Sequence, residues 1–271
     1  MALSNRTTRI FFALIAAPIA IGITLYGGIP FLVFGVLIGI LAYSEFDNFL
    51  IAKEIATNKI FPFTAVLLLI TNTYFDFIDL GNLILVIIIL LTIVELFRKE
   101  NGYLSRVGGQ LLGILYIGLF SGALIELREF FSFTEYFYYQ GAYLLIGIMS
   151  TIWICDSAAY FLGLAFGKHK IFPRVSPKKS WEGSIAGLVF SIIAMLSAKA
   201  LILDFIGWDQ ALIISLIIGI MGQVGDFVES IMKRDAEVKD SSALLPGHGG
   251  VLDRLDSLLF TAPIIYLYLS L

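Results

Sequence analysis

The most chemically loaded stretch of the chain runs from Gly225 to Ser257 and reads GDFVESIMKRDAEVKDSSALLPGHGGVLDRLDS. Its first part continues an apolar run, so Asp226, Ser230 and Lys233, spaced by four and three, are predicted to share one helical face. Its far end opens a second apolar run with Asp253 and Asp256 one turn apart. Near a helix N-terminus, free backbone amides and the helix dipole favour negative charge, whether a carboxylate or a bound phosphate. Between the two runs, PGHGG can bend tightly and turn several amides toward an anion. Carboxylates on two helices, a glycine-rich turn and several cations have the composition of a metal and phosphate site. Magnesium suits it, since that ion takes few protein carboxylates and keeps waters or phosphate oxygens as its other ligands. Zinc suits it poorly, because His248 is the one local histidine and no cysteine is nearby.

A second constellation lies earlier, STIWICDSAAYFLGLAFGKHKIFPRVSPKKSWEGS, from Ser150 to Ser184. Asp156 sits inside an apolar run and shares a predicted helical face with Tyr160, Gly163 and Gly167. An intramembrane carboxylate is costly and faces a partner, a cavity or a substrate path. The five Lys and Arg residues from Lys168 to Lys179 can meet lipid or nucleotide phosphates.

Each feature also has a plainer reading. A basic loop is most often a topology signal, and Gly163 and Gly167 read more readily as a helix contact than as a ligand cradle. His248, and His169 still more, read as satisfying loop hydrogen bonds before binding metal, and Asp226 and Asp256 equally as charges at helix ends. Ser230 equally bonds its own backbone. Asp156 is the hardest to explain in this way. GLAFGKH has too short an interval for a Walker loop, and GSIAG puts its serine in the wrong place for a nucleophile elbow.

These residues must be positioned by elements that are mostly apolar. The chain is 59% hydrophobic and 14% charged, with mean hydropathy +0.92. A soluble domain carries about a quarter charged residues, so the bilayer is the expected solvent. Nine segments satisfy the length test for spanning helices: 10–26, 29–44, 60–76, 80–97, 108–126, 141–166, 182–203, 210–232 and 255–271. The first is read as a retained span rather than a cleaved signal, and Gly27 and Gly28 predict a tight hairpin to the second. With a cytoplasmic N-terminus and nine crossings, only Arg128 and Lys199 of the 18 Lys and Arg residues fall outside. That asymmetry predicts the orientation, with the C-terminus extracytoplasmic and both polar constellations facing the cytoplasm. The expectation is an all-α integral membrane protein forming a single transmembrane domain over 1–271. Residues 1–140 supply N-terminal spans and 141–271 a catalytic half with its cytoplasmic loops. A net charge of −3 argues against nucleic acid as a partner. The single cysteine, Cys155, excludes a disulfide framework and reads as packing.

Taken together, Ser230, Lys233, Arg234, Lys239, Asp240, Ser242, Pro246, His248, Gly249, Gly250, Asp253, Arg254 and Asp256 resemble, in order and without a gap, the signature of the phosphatidate cytidylyltransferase family. CDSAAYFLG and SPKKSWEG, the latter with Ser176, Lys178, Lys179 and Glu182, resemble a second block of that family. Ser157, Ala158 and Ser180 stand where Thr, Gly or Phe, and Thr are more usual. The resemblance implies that CTP and phosphatidate are converted to CDP-diacylglycerol and pyrophosphate in the cell (inner) membrane. It further implies dependence on Mg²⁺, with a second metal or K⁺ as a further ion, and a helical homodimer among membrane lipids. The family's metal-binding aspartates correspond to Asp226 and Asp253, with Asp256 close by. Lys233, Lys239, Asp240 and Arg254 then belong to the catalytic set. Ser176, Lys178, Lys179, Glu182, Ser230, Arg234, His248, Gly249 and Gly250 are expected at the substrates, and Asp156 and Tyr160 along the lipid's path. Alternatives are a CTP-dependent polyprenol kinase, an ether-lipid cytidylyltransferase, or a transporter using Asp156.

Overall fold

The computed structural model describes residues 5–131, 138–242, 244 and 249–271, with backbone alone over 5–13. It is all-helical: α1 (Asn5–Tyr26), α2 (Gly28–Ala52), α3 (Phe61–Phe75), α4 (Leu80–Leu96), α5 (Tyr103–Glu129), α6 (Tyr138–Phe166), α7 (Trp181–Leu201), α8 (Trp208–Ile217), α9 (Gln223–Asp235) and α10 (Leu252–Ser270). A π-helical turn, Ile218–Gly222, joins α8 to α9 without a break. Every predicted segment falls on a helix, the eighth on the continuous α8–π–α9 rod.

Five helices are long and apolar enough to cross a membrane: α2, α5, α6, α7 and the rod Trp208–Asp235. The apolar stretches Leu14–Tyr26, Phe61–Phe75 and Leu80–Leu96 are shorter. Fifteen residues of α3 rise only about 22 Å, against a hydrocarbon core of roughly 30 Å.

The chain divides into two compact units. The first comprises residues 1–126 and 232–254. Gly27, with φ 69°, is the single non-helical residue between α1 and α2. α2 runs to Ala52, well past the expected end at 44, because the charges that close its apolar run are themselves buried: Glu45 is 2% and Asp47 4% exposed. α5 packs through small residues, so that a Cβ on Gly113 would lie 2.9 Å from the Tyr43 ring and one on Gly118 2.7 Å from Leu69. Tyr43 meets Phe63 edge to face at 5.0 Å. Caps fix the helix starts: Asn58 Oδ1 accepts from the Ile60 and Phe61 amides before α3, and Asp79 accepts from Asn82 before α4. A buried ion pair ties α4 to α5, with Arg106 Nε donating to Glu95 Oε2 at 2.6 Å. Gln110 Nε2 donates to the other Glu95 oxygen at 2.9 Å, and Arg106 Nη1 reaches the carbonyls of Glu100 and Asn101.

The second unit comprises residues 127–231 and 255–271. α6 and α7 approach closely at Gly163 and Gly183, where a Cβ on Gly163 would lie 3.3 Å from Gly183 Cα. Gly163 is thus a helix contact. Cys155 is buried and fills the space beside Gly187, as packing. The π-turn loosens the backbone ladder of the rod, and side chains take up its carbonyls. Ser191 of α7 donates to Ser215 O at 3.0 Å, Gln223 to Gly219 O at 2.6 Å, and Ser257 of α10 to Gly222 O at 3.0 Å. A Cβ on Gly225 would lie 2.7 Å from the Asp256 carbonyl, so α9 and α10 meet backbone to backbone beside Asp226.

Candidate active site

In the first unit, polar groups gather around the N-terminus of α10. Asp253 Oδ1 accepts from Lys233 Nζ at 2.6 Å. Its Oδ2 accepts from the amides of Ser241 at 2.9 Å and Gly250 at 2.8 Å, and lies 2.8 Å from the Ser241 hydroxyl. Gly249 has φ 81°, a left-handed backbone suited to glycine, and a Cβ there would lie 2.7 Å from Asp253 Oδ2. The amides of Val251 and Leu252 donate to the buried carboxylate of Glu45. The amides at this helix end that the sequence suggested for an anion are therefore taken, at Gly250, Val251 and Leu252, by the chain's own carboxylates. Lys239, Asp240, Arg234 and Arg254 are exposed; Arg234 reaches the Val238 carbonyl. His248 lies outside the described residues.

In the second unit, the cluster centres on Asp226. Its Oδ2 pairs with Lys179, and its Oδ1 lies 3.4 Å from the Ser230 hydroxyl, one turn on. Lys179 also stands 4.4 Å above the Phe227 ring, which Phe172 meets edge-on at 5.3 Å. Asp256 is half-buried, accepts from the Ser257 amide at 2.7 Å, and feels the charges of Asp226, Asp156 and Lys179. Asp156 therefore belongs electrostatically to this cluster, while Tyr160, one turn along α6, is 64% exposed.

The basic loop folds back on itself. Trp181 N donates to His169 O at 2.9 Å and Lys170 bridges to Ser180. Lys170 Nζ donates to the Lys178 carbonyl, and Lys178 itself is exposed. Ser176 accepts from the Lys179 amide through its carbonyl, and its own amide donates to Phe172. Glu182, in the first turn of α7, accepts from the amides of Lys168 and His169 and sits 2.6 Å from His169 Nδ1. Its carboxylate thus holds the loop's return, and His169 satisfies a loop hydrogen bond. Ser180 caps α7 by accepting from Gly183 N.

Among the described residues, no three His, Cys, Asp or Glu side chains converge as a metal cage. Magnesium does not require one, since it is commonly held by one or two carboxylates together with substrate phosphates. Asp226 and Asp256, carried where α9 and α10 meet backbone to backbone at Gly225, have the number and chemistry of that pattern. Glu45 escaped the sequence reading because it stands 196 residues from Ser241 and 207 from Leu252. Only its charge at the end of an apolar run hinted at it.

Helices of membrane-spanning length define the class as a multi-pass membrane protein. The sequence profile of the cytidylyltransferase family matches residues 7–271, and the chain belongs to that family. It is 32% identical to a phosphatidate cytidylyltransferase of Brucella suis biovar 1 (strain 1330), over 98% of this chain and 94% of that one. It is likewise 32% identical to the phosphatidate cytidylyltransferase of Staphylococcus saprophyticus (96% and 98% covered). Identity to that of Bacillus subtilis (strain 168) is 30%, with 97% of each covered.

Proposed function

We propose that the protein is a phosphatidate cytidylyltransferase that joins CTP and phosphatidate into CDP-diacylglycerol and releases pyrophosphate. The observation that carries the reading is the family match over residues 7–271, in a chain whose Asp226 sits among Lys179, Ser230 and Asp256.

The chemistry follows from charge. The phosphomonoester of phosphatidate has a second pKa of about 6 and is largely dianionic at neutral pH, so no strong general base is needed. One of its oxygens attacks the α-phosphorus of CTP, the bond from that phosphorus to the β-phosphate oxygen breaks, and pyrophosphate leaves with the electron pair. The main task of the protein is to bring two anions together and offset the charge that develops on the leaving group.

Lys233, Lys239 and Arg254 serve the leaving pyrophosphate, with Arg234, Gly249, Gly250 and His248 contributing to nucleotide binding. Lys178 and Lys179 receive the lipid phosphate, and Ser176 and Glu182 hold the loop that carries them. Asp156 and Tyr160 line the lipid's path. Asp226 and Asp256 are the first candidates to hold Mg²⁺, and Asp253 enters the ligand set from the sequence signature. Bound there, Mg²⁺ would neutralise and orient the triphosphate. Asp240 and Ser230 complete the polar set. A second metal, or K⁺, is a further proposed component. The excess of Lys and Arg on one side of nine spans supports a cytoplasmic N-terminus, an extracytoplasmic C-terminus and a cytoplasm-facing site in the inner membrane. A homodimer is proposed on the resemblance alone.

Supplying CTP and Mg²⁺ with either phosphatidate or an unphosphorylated polyprenol tests the reading. Pyrophosphate released only with phosphatidate is expected; CDP released with the polyprenol would mark a kinase and overturn it.

A further inference from the structure

We infer that Glu45 is a positioning residue of the catalytic loop, capping from α2 the helix that carries Asp253 and Arg254; the inference rests on the cytidylyltransferase reading above. Glu45 is 2% exposed. Its Oε1 accepts from the Ser242 hydroxyl at 2.6 Å and the Val251 amide at 2.8 Å. Its Oε2 accepts from the Ser241 hydroxyl at 2.9 Å and the Leu252 amide at 2.7 Å.

α10 begins at Leu252, so these two amides are among those that a helix leaves without an intrahelical partner. A buried carboxylate is strongly unfavourable alone, but here four donors and the positive end of the α10 dipole surround it. Each Glu45 oxygen faces one backbone amide and one serine hydroxyl, the single Ser241 hydrogen being shared with Asp253 Oδ2 at 2.8 Å. Enclosed in this way, Glu45 acts on the chemistry through the loop it holds. Ser241 carries it further: its hydroxyl meets Glu45 while its amide donates to Asp253 Oδ2. The fit is close, since a Cβ on Gly250 would lie 2.5 Å from Glu45 Cδ. A residue in the apolar N-terminal part of the chain thus fixes the backbone on which Lys239, Asp240, Asp253 and Arg254 stand.

The test compares wild type, Glu45→Gln, Ser242→Ala and the double variant, purified in detergent. In Glu45→Gln the shape is kept, but one oxygen becomes an NH₂ group facing an amide that also donates. Labelled CTP and phosphatidate give kcat and KM, and hydrogen exchange reports on local order. Misplacement on the order of 1 Å costs about 100-fold in rate, so Glu45→Gln is expected to lower kcat by about that factor, with KM for CTP changed less than about threefold. Exchange should quicken at Val251 and Leu252 and stay unchanged over Trp181–Leu201. Ser242→Ala should lower kcat by about tenfold and add no further loss to Glu45→Gln, because both act through one contact. The inference is overturned by a Glu45→Gln kcat within about threefold of wild type, by multiplicative losses in the double variant, or by exchange that quickens throughout the chain. Should Glu45→Gln fail to insert, Ser242→Ala carries the same rate and exchange test. A wild-type protein that makes no lipid-soluble cytidine would instead sink the reading of the reaction, while exchange at Val251 and Leu252 would still report on the cap.

Discussion

Lys233 Nζ lies 2.6 Å from Asp253 Oδ1, and the two side chains are only 12% and 7% exposed. The ammonium comes from the end of α9 and the carboxylate from the first turn of α10. A pair so enclosed is sensitive to loss of either partner, because the survivor is left as a buried charge.

Lys233→Met removes the ammonium that faces Asp253 Oδ1, while the Ser241 and Gly250 amides and the Ser241 hydroxyl stay on Oδ2. Breaking such a pair costs about 3–5 kcal/mol, which lowers the unfolding temperature by roughly 5–15 °C. A thermal melt in detergent checks this, and a shift under about 1 °C would show that the pair contributes nothing to the fold.

Asp226→Asn and Asp253→Asn are both expected to abolish turnover, but they should differ in stability. Asp226 is 36% exposed beside Lys179, so its amide variant inserts and melts like wild type. Asp253 accepts from Lys233 and from two backbone amides, and an amide there opposes a donor with a donor at a cost of about 1–3 kcal/mol. Melting curves alongside product assays separate the two; wild-type turnover by either variant removes that residue from the catalytic set.

Arg106→Met tests the buried pair distant in sequence from the catalytic motif. It removes the donor on Glu95 Oε2, while Gln110 and Arg98 stay on Oε1, and it deprives the carbonyls of Glu100 and Asn101 of the same guanidinium, for a loss of about 1–3 kcal/mol. The surviving folded protein should keep kcat within about threefold, since losses at separate sites are nearly independent. A melt equal to wild type would contradict the stability claim.

Magnesium removal should stop the reaction without unfolding the protein. Chelation with EDTA is expected to abolish product formation, and added Mg²⁺ to restore it, with the melting temperature little changed in the absence of CTP. Full activity in excess chelator would refute the magnesium proposal.

The segments that became helices were legible because helices of membrane-spanning length need long apolar runs, and each of the nine segments falls on a helix, five of them long enough to cross. The end of α2 was not, since Glu45 and Asp47 broke the apolar pattern while the helix continued to Ala52. The π-turn was invisible for a different reason: Ser257, far along the chain, takes up its Gly222 carbonyl, and Ser191 takes up the Ser215 carbonyl just before it. In the site, the helical spacing of Asp226 and Ser230 could be read directly, and the structure places them 3.4 Å apart. The partnership of Lys179 with Asp226 and the cap from Glu45 depend on tertiary approach, which spacing along one helix does not encode.

The most direct measurement of the central claim is the cytidine label itself. Purified protein in detergent is given CTP labelled in the base, phosphatidate and Mg²⁺, and the lipid phase is extracted and counted. The label should move into the lipid phase as CDP-diacylglycerol, with one pyrophosphate released per cytidine transferred. Label that stays in the aqueous phase across several lipid and salt conditions would contradict the account.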